Sequence, residues 1–286
     1  MNIFAYVLNV VFARSESALG KYNAKVGGDT PTFNSAKSGA AALISGTVAL
    51  ILGLSFDALT LGYSVLYGAA LALSMHAGVT ALSLGNMGIV SMIASFSLVV
   101  PTLWGIAVLG EQLGITGYVG LLLLVLSIVL LNVKKGSGRL SLKCWIYSLL
   151  TLLSNGIASV VQKQHQVVCR GEYKTEFMLY AMVIAALIFT VMGIVKNRGQ
   201  RSGEKKISCR PSLIFGAMAG VLNYLANYTV LMLATVEDAS VMFPVLSAGN
   251  AVGACLVGRI VFKERLTVLQ MISILFGILS VVLLKI

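Results

Sequence analysis

The residues able to do chemistry are few, and most stand inside long apolar runs. Ala13-Arg14-Ser15-Glu16-Ser17 puts two opposite charges near the middle of the first run. An ionisable group at the centre of an apolar span costs at least about 2.5–3.5 kcal/mol, so each one needs a partner or a task. Positions i and i+2 point about 200° apart on a helix, so Arg14 and Glu16 cannot pair with each other. Glu16 shares a stripe with Asn9 and Asn23, and Arg14 shares one with Ser17 and Lys21. Each charge must find another helix, a water-filled cavity or a ligand. In the eighth run, Asn223-Tyr224-Leu225-Ala226-Asn227-Tyr228 stacks Asn223 under Asn227 and Tyr224 under Tyr228 as adjacent i, i+4 columns. His76 stands in the third run with Thr80 one turn on, and Tyr63, Tyr67 and Ser74 lie elsewhere along it.

Two further runs carry prolines, Pro101 and Pro244, with Ser91, Ser95 and Trp104 on one and Ser240, Ser247 and Asn250 on the other. Proline inside a span frees a carbonyl and kinks the helix, which suits a gate. Gly249, Gly253, Ala254 and Gly258 form small-xxx-small steps of the kind that let helices pack closely. The expected solute contacts are Arg14, Glu16, His76, Asn155, Asn223, Tyr224, Asn227, Tyr228 and Asn250. The competing explanation for each is interhelical glue, worth typically about 0.6 kcal/mol per polar contact.

Catalysis is not expected. Cys144, Cys169, Cys209 and Cys255 are far apart, with no CxxC and no histidine at zinc spacing, so neither a metal site nor a disulfide framework is expected. The chain offers no catalytic dyad or His-carboxylate motif for a membrane-embedded transferase, no nucleotide-binding loop, and no cofactor signature. Glu111 and Glu264 invite thoughts of proton relay. Their place at a helix start instead predicts caps that complement the helix dipole.

The elements that position these residues follow from composition. Apolar residues make up 58% of the chain, charged residues 11%, and the mean hydropathy is +0.92. Soluble domains carry about 25% charged residues, so a water-facing surface is excluded here. Basic residues cluster between apolar runs, which is membrane topology rather than a nucleic-acid footprint. About 20 residues make one helical span, and ten spans are predicted at 3–23, 36–55, 62–83, 88–109, 114–133, 145–165, 177–195, 212–234, 240–259 and 267–285. The first run has no basic segment ahead of it, so it is expected to be a span and not a cleaved leader.

The chain repeats itself. Gly110-Glu111-Gln112-Leu113 introduces the fifth run and Lys263-Glu264-Arg265-Leu266 the tenth, each followed by a glycine-containing stretch. The first and sixth runs align with Tyr6 on Tyr147 and Arg14 on Asn155. The third and eighth align with His76 on Asn227. Residues 1–133 and 145–286 are therefore expected to be two five-helix repeats joined by a basic linker, 134–144. Five is odd, so the second repeat enters the membrane inverted. With these motifs, and with Lys263-Glu264-Arg265-Leu266-Thr267-Val268-Leu269-Gln270 the most specific of them, the chain resembles the EamA-type drug/metabolite transporters over nearly its whole length. The resemblance implies an all-α secondary transporter whose central cavity is lined mainly by helices one, three, four, six, eight and nine, with the fifth and tenth at the periphery.

Sidedness is read from charge. Lys163, Arg170, Lys174 and Lys285 fall on the side of the two termini. Lys21, Lys25, Lys37, Lys134, Lys135, Arg139, Lys143, Lys196, Arg198, Arg201, Lys205, Lys206, Arg210, Arg259, Lys263 and Arg265 fall on the other. The positive-inside rule makes the second side cytoplasmic and both termini extracytoplasmic. The expected function is alternating-access transport of a small polar or zwitterionic metabolite such as an amino acid. Proton coupling is an option with Glu16 as carrier, and the expected partners are the solute and the lipid bilayer, with no nucleic acid. A multidrug or organic-cation exporter of the same fold is the alternative.

Overall fold

The computed structural model describes residues 2–84, 90, 93–94, 96–132, 141–199, 209–261 and 268–285. Among these the chain is all helical. The helices are α1 (Asn2–Lys25), α2 (Thr30–Leu52), α3 (Ala58–Leu84), α4 (Val99–Ala107, entered through a 3-10 turn at Phe96–Leu98), α5 (Ile115–Asn132), α6 (Leu142–Val168), α7 (Lys174–Gly199), α8 (Cys209–Ala234), α9 (Ala239–Ile260) and α10 (Val268–Lys285). Five of the described stretches are long and apolar enough to cross a membrane alone: Thr30–Leu52, Ala58–Gly78, Leu142–Val168, Lys174–Val195 and Arg210–Ala234. Phe96–Ala107, Ile115–Leu130, Ala239–Gly253 and Met271–Leu284 are apolar but shorter. An outward belt that includes Leu43, Leu50, Ile115 and Leu142 is open to the surroundings, a face that suits lipid and not water.

Two helix starts differ from the sequence expectation, and each has a cap as its reason. α2 begins at Thr30, not at 36, because the Asp29 carboxylate accepts from the Thr32 amide (2.9 Å) and hydroxyl (2.7 Å), with Pro31 in the first turn. Lys37, second in the expected span, therefore lies about two turns inside α2. α6 begins at Leu142, where the Ser141 hydroxyl accepts from the Cys144 amide (3.2 Å). Residues 142–144 of the expected linker are thus helical, while 134–140 lie outside the described residues, as do Ser91, Ser95 and Lys263 to Leu266. Pro101 sits in the first turn of α4 and not in the middle of a long helix, so its missing N–H is one the helix leaves free anyway. Pro244 does lie inside α9.

The helices pack in pairs: α1 on α8 and α9, α2 on α7 and α8, α3 on α6 and α7, α4 on α6 and α9, and α5 on α10. Between α5 and α10 two serines bond reciprocally. Ser127 Oγ donates to the Ser273 carbonyl (2.7 Å), and Ser273 Oγ donates to the Ser127 carbonyl (2.6 Å). Gly120 meets Leu284 further along, so the two helices run antiparallel. Gly249 and Gly253 let α9 approach Val10 of α1 closely, since a Cβ there would stand under 3 Å from the valine methyls.

Glu111 is a cap, as expected, but of a different helix. Its carboxylate accepts from the Ala239 amide (2.8 Å) and the Ser240 amide (2.7 Å), closing the N-terminus of α9 and not of α5. Gly105 makes the room, because a Cβ there would strike the carboxylate at 2.2 Å. Loss of a side-chain cap at a helix N-terminus costs about 0.5–2 kcal/mol, and a charged acceptor lies at or above the upper end. Glu111→Ala should therefore lower stability by about 2–3 kcal/mol, read as a lower unfolding temperature of the purified protein. An unchanged transition would remove this cap from the account of α9. Glu264, expected to cap in the same way, lies outside the described residues.

Candidate functional site

The polar groups of α1 divide between two faces. Along one face, Asn9 donates to the Ala226 carbonyl (2.8 Å) and the Thr229 hydroxyl (3.0 Å), and Asn23 accepts from the Ser212 hydroxyl (3.0 Å). Glu16 lies between them on the same stripe, and all three look toward α8. One Glu16 oxygen meets the Lys37 ammonium of α2 at 2.9 Å, and the other accepts from Asn223 Nδ2 of α8 at 3.1 Å. From there the network continues. Asn227 Nδ2 donates to the Asn223 carbonyl (2.9 Å), the Tyr67 hydroxyl of α3 donates to Asn227 Oδ1 (2.8 Å), and Gln162 of α6 reaches the Asn227 carbonyl (3.4 Å). Five helices thus meet on one polar chain in an apolar bundle. Lys37 is 6% exposed and Asn223 9%, while the Glu16 side chain keeps 18% of its surface open.

Arg14 leaves α1 in another direction. Its side chain crosses Gly253 of α9, where a Cβ would stand 2.9 Å from Arg14 Cγ. Its Nε is buried and has no hydrogen-bond partner among the described residues, and Asn250 Oδ1, on the same α9, is in the same condition. A buried guanidinium N–H without an acceptor is costly, which is the usual mark of a group awaiting a ligand or strain held for a purpose. Glu16 takes Lys37 as its ion-pair partner, in keeping with the helical phase that keeps positions 14 and 16 apart.

The remaining expected contacts are placed unevenly. Asn155 is exposed and donates to Ser97 Oγ (2.9 Å). It lies half a turn from Leu149, Leu153 and Ile157, the outward stripe of α6, so its exposure faces inward. Tyr224 is buried and stacks on Tyr228 with ring centroids 5.8 Å apart, within an apolar cluster that includes Ala158, Val161 and Phe177. His76 is exposed on the stripe of Leu66, Ala69 and Leu73, about half a turn from the inward-facing Tyr67. The structure brings Glu16, Asn223 and Asn227 together and does not bring His76 to them.

Several functional-looking groups escaped the sequence. Lys37 stands at the edge of the expected 36–55 span and reads as a boundary charge, whereas the Asp29 cap places it about two turns inside α2. Lys163 was also assigned to a connection, yet it is 6% exposed, and its ammonium donates to the carbonyls of Ala234 (3.1 Å) and Glu237 at the C-terminus of α8. His165 is wholly buried, with Thr60 Oγ1 at 3.0 Å, Gln166 Nε2 at 2.7 Å and Phe177 stacked at 4.5 Å. The signal was the unbroken polar run Gln162 to Gln166 at the end of an apolar helix, which suggests surface until other connections are seen to cover it.

An all-helical bundle with an outward apolar belt and a buried charged seam defines a multi-pass membrane protein. The model of the EamA-like transporter family matches residues 142–286, and the chain belongs to that family. It is accordingly a membrane transporter. Among solved structures 28 chains match, including one titled "Crystal structure of protein" with a TM-score of 0.75 at 12% identity, covering 99% of this chain and 95% of that one. At that identity the likeness is one of fold. No curated protein matches the sequence.

Proposed function

We propose that the protein is a secondary transporter, working by alternating access, for a small polar solute that carries a carboxylate, with amino acids as the leading class. The observation that carries this is the contrast between the two mid-helix charges of α1. Glu16 is satisfied by Lys37 and Asn223, whereas Arg14 presents a buried N–H with no acceptor among the described residues. A carboxylate supplies the missing acceptor and charge, and guanidinium binds it in a two-pronged geometry. The inward exposure of Asn155 and the unpaired Asn250 oxygen supply polar contacts for the rest of the solute.

The bundle is ten spans in two inverted five-helix repeats, with residues 1–133 and 145–286 as the halves. Exchange of the halves maps the pairing of α1 with α8 onto that of α6 with α3, and the pairing of α1 with α9 onto that of α6 with α4. The reciprocal Ser127 and Ser273 bonds are what residues near a two-fold axis would make. Solute sites of inverted-repeat transporters lie near the bilayer midplane between the repeats, the depth at which Arg14 and Glu16 stand. Both termini are extracytoplasmic. With Lys37 and Lys163 withdrawn from the loop tally, one from each side, the basic excess still lies opposite the termini. A C-terminal phosphatase fusion should be active and a fluorescent one dark; the reverse pattern inverts the topology.

Glu16 is the proton site of the cycle. Protonation there would remove one ion pair and one charged acceptor at once, and so loosen α1 from both α2 and α8. Uptake into proteoliposomes tests the whole reading. An inward pH gradient should drive carboxylate-bearing solutes through wild type, and Glu16→Gln should abolish that gradient-driven uptake. Selective transport of permanent organic cations, the exporter alternative, would overturn the assignment.

A further inference from the structure

The inward face of α6 changes character along its length. Asn155 is exposed at mid-depth, and Ser159, whose hydroxyl donates to the Asn155 carbonyl (3.1 Å), is partly so. Further along the helix, Gln162, Lys163 and Gln166 are buried. α1 and α8 change in the same sense toward the same end. Tyr6 and Asn9 of α1 are buried while Ala13 and Ser17 are more open, and the half-buried Asn227 of α8 gives way to buried Leu231 and Ala234. That end bears both termini, because α1 begins there and the turn between α8 and α9 lies on it. The bundle is sealed on that side, and every residue of the seal named here is a described one.

Three polar side chains grip the α8–α9 turn. Lys163 of α6 donates to the carbonyls of Ala234 (3.1 Å) and Glu237. Glu111 holds the Ala239 and Ser240 amides, and the Tyr6 hydroxyl of α1 lies beside the Glu237 carboxylate. Leu233, Met242 and Phe243 pack with Tyr6 in one apolar cluster behind them. Glu111 ties α9 to its packing neighbour α4, so those two helices can travel together. Lys163 differs, because it crosses from α6 to a separate pair of helices. Its acceptors are neutral carbonyls, and the carboxylates of Glu111, Glu237 and Asp238 act on it from further off. An ammonium on a flexible stem can leave a carbonyl for a neighbouring carboxylate and stay compensated in charge. A contact of that kind breaks and re-forms readily, as a gate requires. Resting on the alternating-access reading, we infer that Lys163 is the latch of a gate at the end of the bundle that bears the termini. It locks α6 to the α8–α9 turn, and the solute path opens on that side when it lets go. In this role Lys163 touches no solute; it sets which side is open.

The test is alkylation of Ser159→Cys by a membrane-impermeant maleimide, read on that peptide by mass spectrometry so that the four native cysteines stay in place. The reagent is applied to each face separately, in intact cells and in inverted membrane vesicles, with a C-terminal tag reporting which face bears the termini. With Lys163 present, labelling from the terminus face should be slow. Lys163→Met should speed it about tenfold or more, the shift in population that loss of a charged hydrogen-bond donor produces, and should slow labelling from the opposite face. Lys163→Gln keeps a neutral donor and should fall between the two, so it carries the test if the methionine variant does not fold. A lysine that served only stability would, when removed, speed labelling from both faces. Terminus-face labelling that stays unchanged in a folded variant, or that rises equally from both faces, overturns the latch. Uptake into proteoliposomes is read separately. Opposite shifts from the two faces without carboxylate uptake keep the latch and defeat the proposed substrate class. Gradient-driven carboxylate uptake with unshifted labelling does the reverse.

Discussion

Lys37→Met is expected to destabilise the protein by about 3–5 kcal/mol and to abolish transport, because it strands Glu16 as an uncompensated buried charge. The second Glu16 oxygen then has only the neutral Asn223 amide as its hydrogen-bond partner. Glu16→Gln alone should do comparable harm by stranding Lys37. The double variant, Lys37→Met with Glu16→Gln, should recover most of the stability, since exchanging a whole buried pair for neutral groups is often neutral or favourable. Unfolding temperatures of the four proteins form a double-mutant cycle, and a large interaction energy is the expected result. Strict additivity would mean that the two side chains do not depend on each other. Transport should not return in the double variant, because the seam would then hold no group that gains and loses a proton.

Arg14→Gln should show the opposite split between stability and function. Loss of one guanidinium–carboxylate contact, worth about 1.5–3 kcal/mol, corresponds to about 10–150-fold weaker uptake of carboxylate-bearing solutes. Stability should stay level or rise, because the substitution removes a charge whose Nε is buried without an acceptor. Arg14→Lys keeps the charge but loses the planar two-pronged donor, and it should recover only part of the uptake. Initial uptake rates, measured beside thermal unfolding of the same preparations, check both halves. A destabilised Arg14→Gln with normal uptake would make Arg14 a structural residue.

These two expectations differ because α1 sorts its charges by helical phase, and that sorting was legible in the sequence. The spacing of Asn9, Glu16 and Asn23 is seven residues each time, which keeps them on one face, and all three meet α8. Arg14 is rotated away from that face by the same arithmetic, and it crosses α9 instead. The column of Asn223 and Asn227 was equally legible, and it forms the continuation of the seam.

What periodicity could not give was the identity of partners. Lys37 reads as a boundary charge at the start of an apolar run until the Asp29 cap carries α2 back to Thr30, and a single lysine there carries no sign of a carboxylate twenty-one positions earlier. His76 and Tyr67 share a helix and similar polarity, and only the packing of α3 on α6 and α7 decides which of them turns inward. Glu111 shows the same limit. A carboxylate at a helix start complements a dipole, but the nearest free N–H groups belong to α9, which Gly105 and the tertiary approach bring within reach.

By itself, the sequence determined that the chain is a helical membrane bundle, because lipid leaves a backbone no other way to satisfy its N–H and C=O groups without forming a closed barrel. It also determined which side chains needed partners, since a charge in an apolar run has a cost wherever it lies. Tertiary structure alone decided which charges found them. Coulomb energy depends on distance between atoms, not on separation along the chain. Only the meeting of α1, α2 and α8 neutralised Glu16 and left the Arg14 Nε without a hydrogen-bond partner among the described residues.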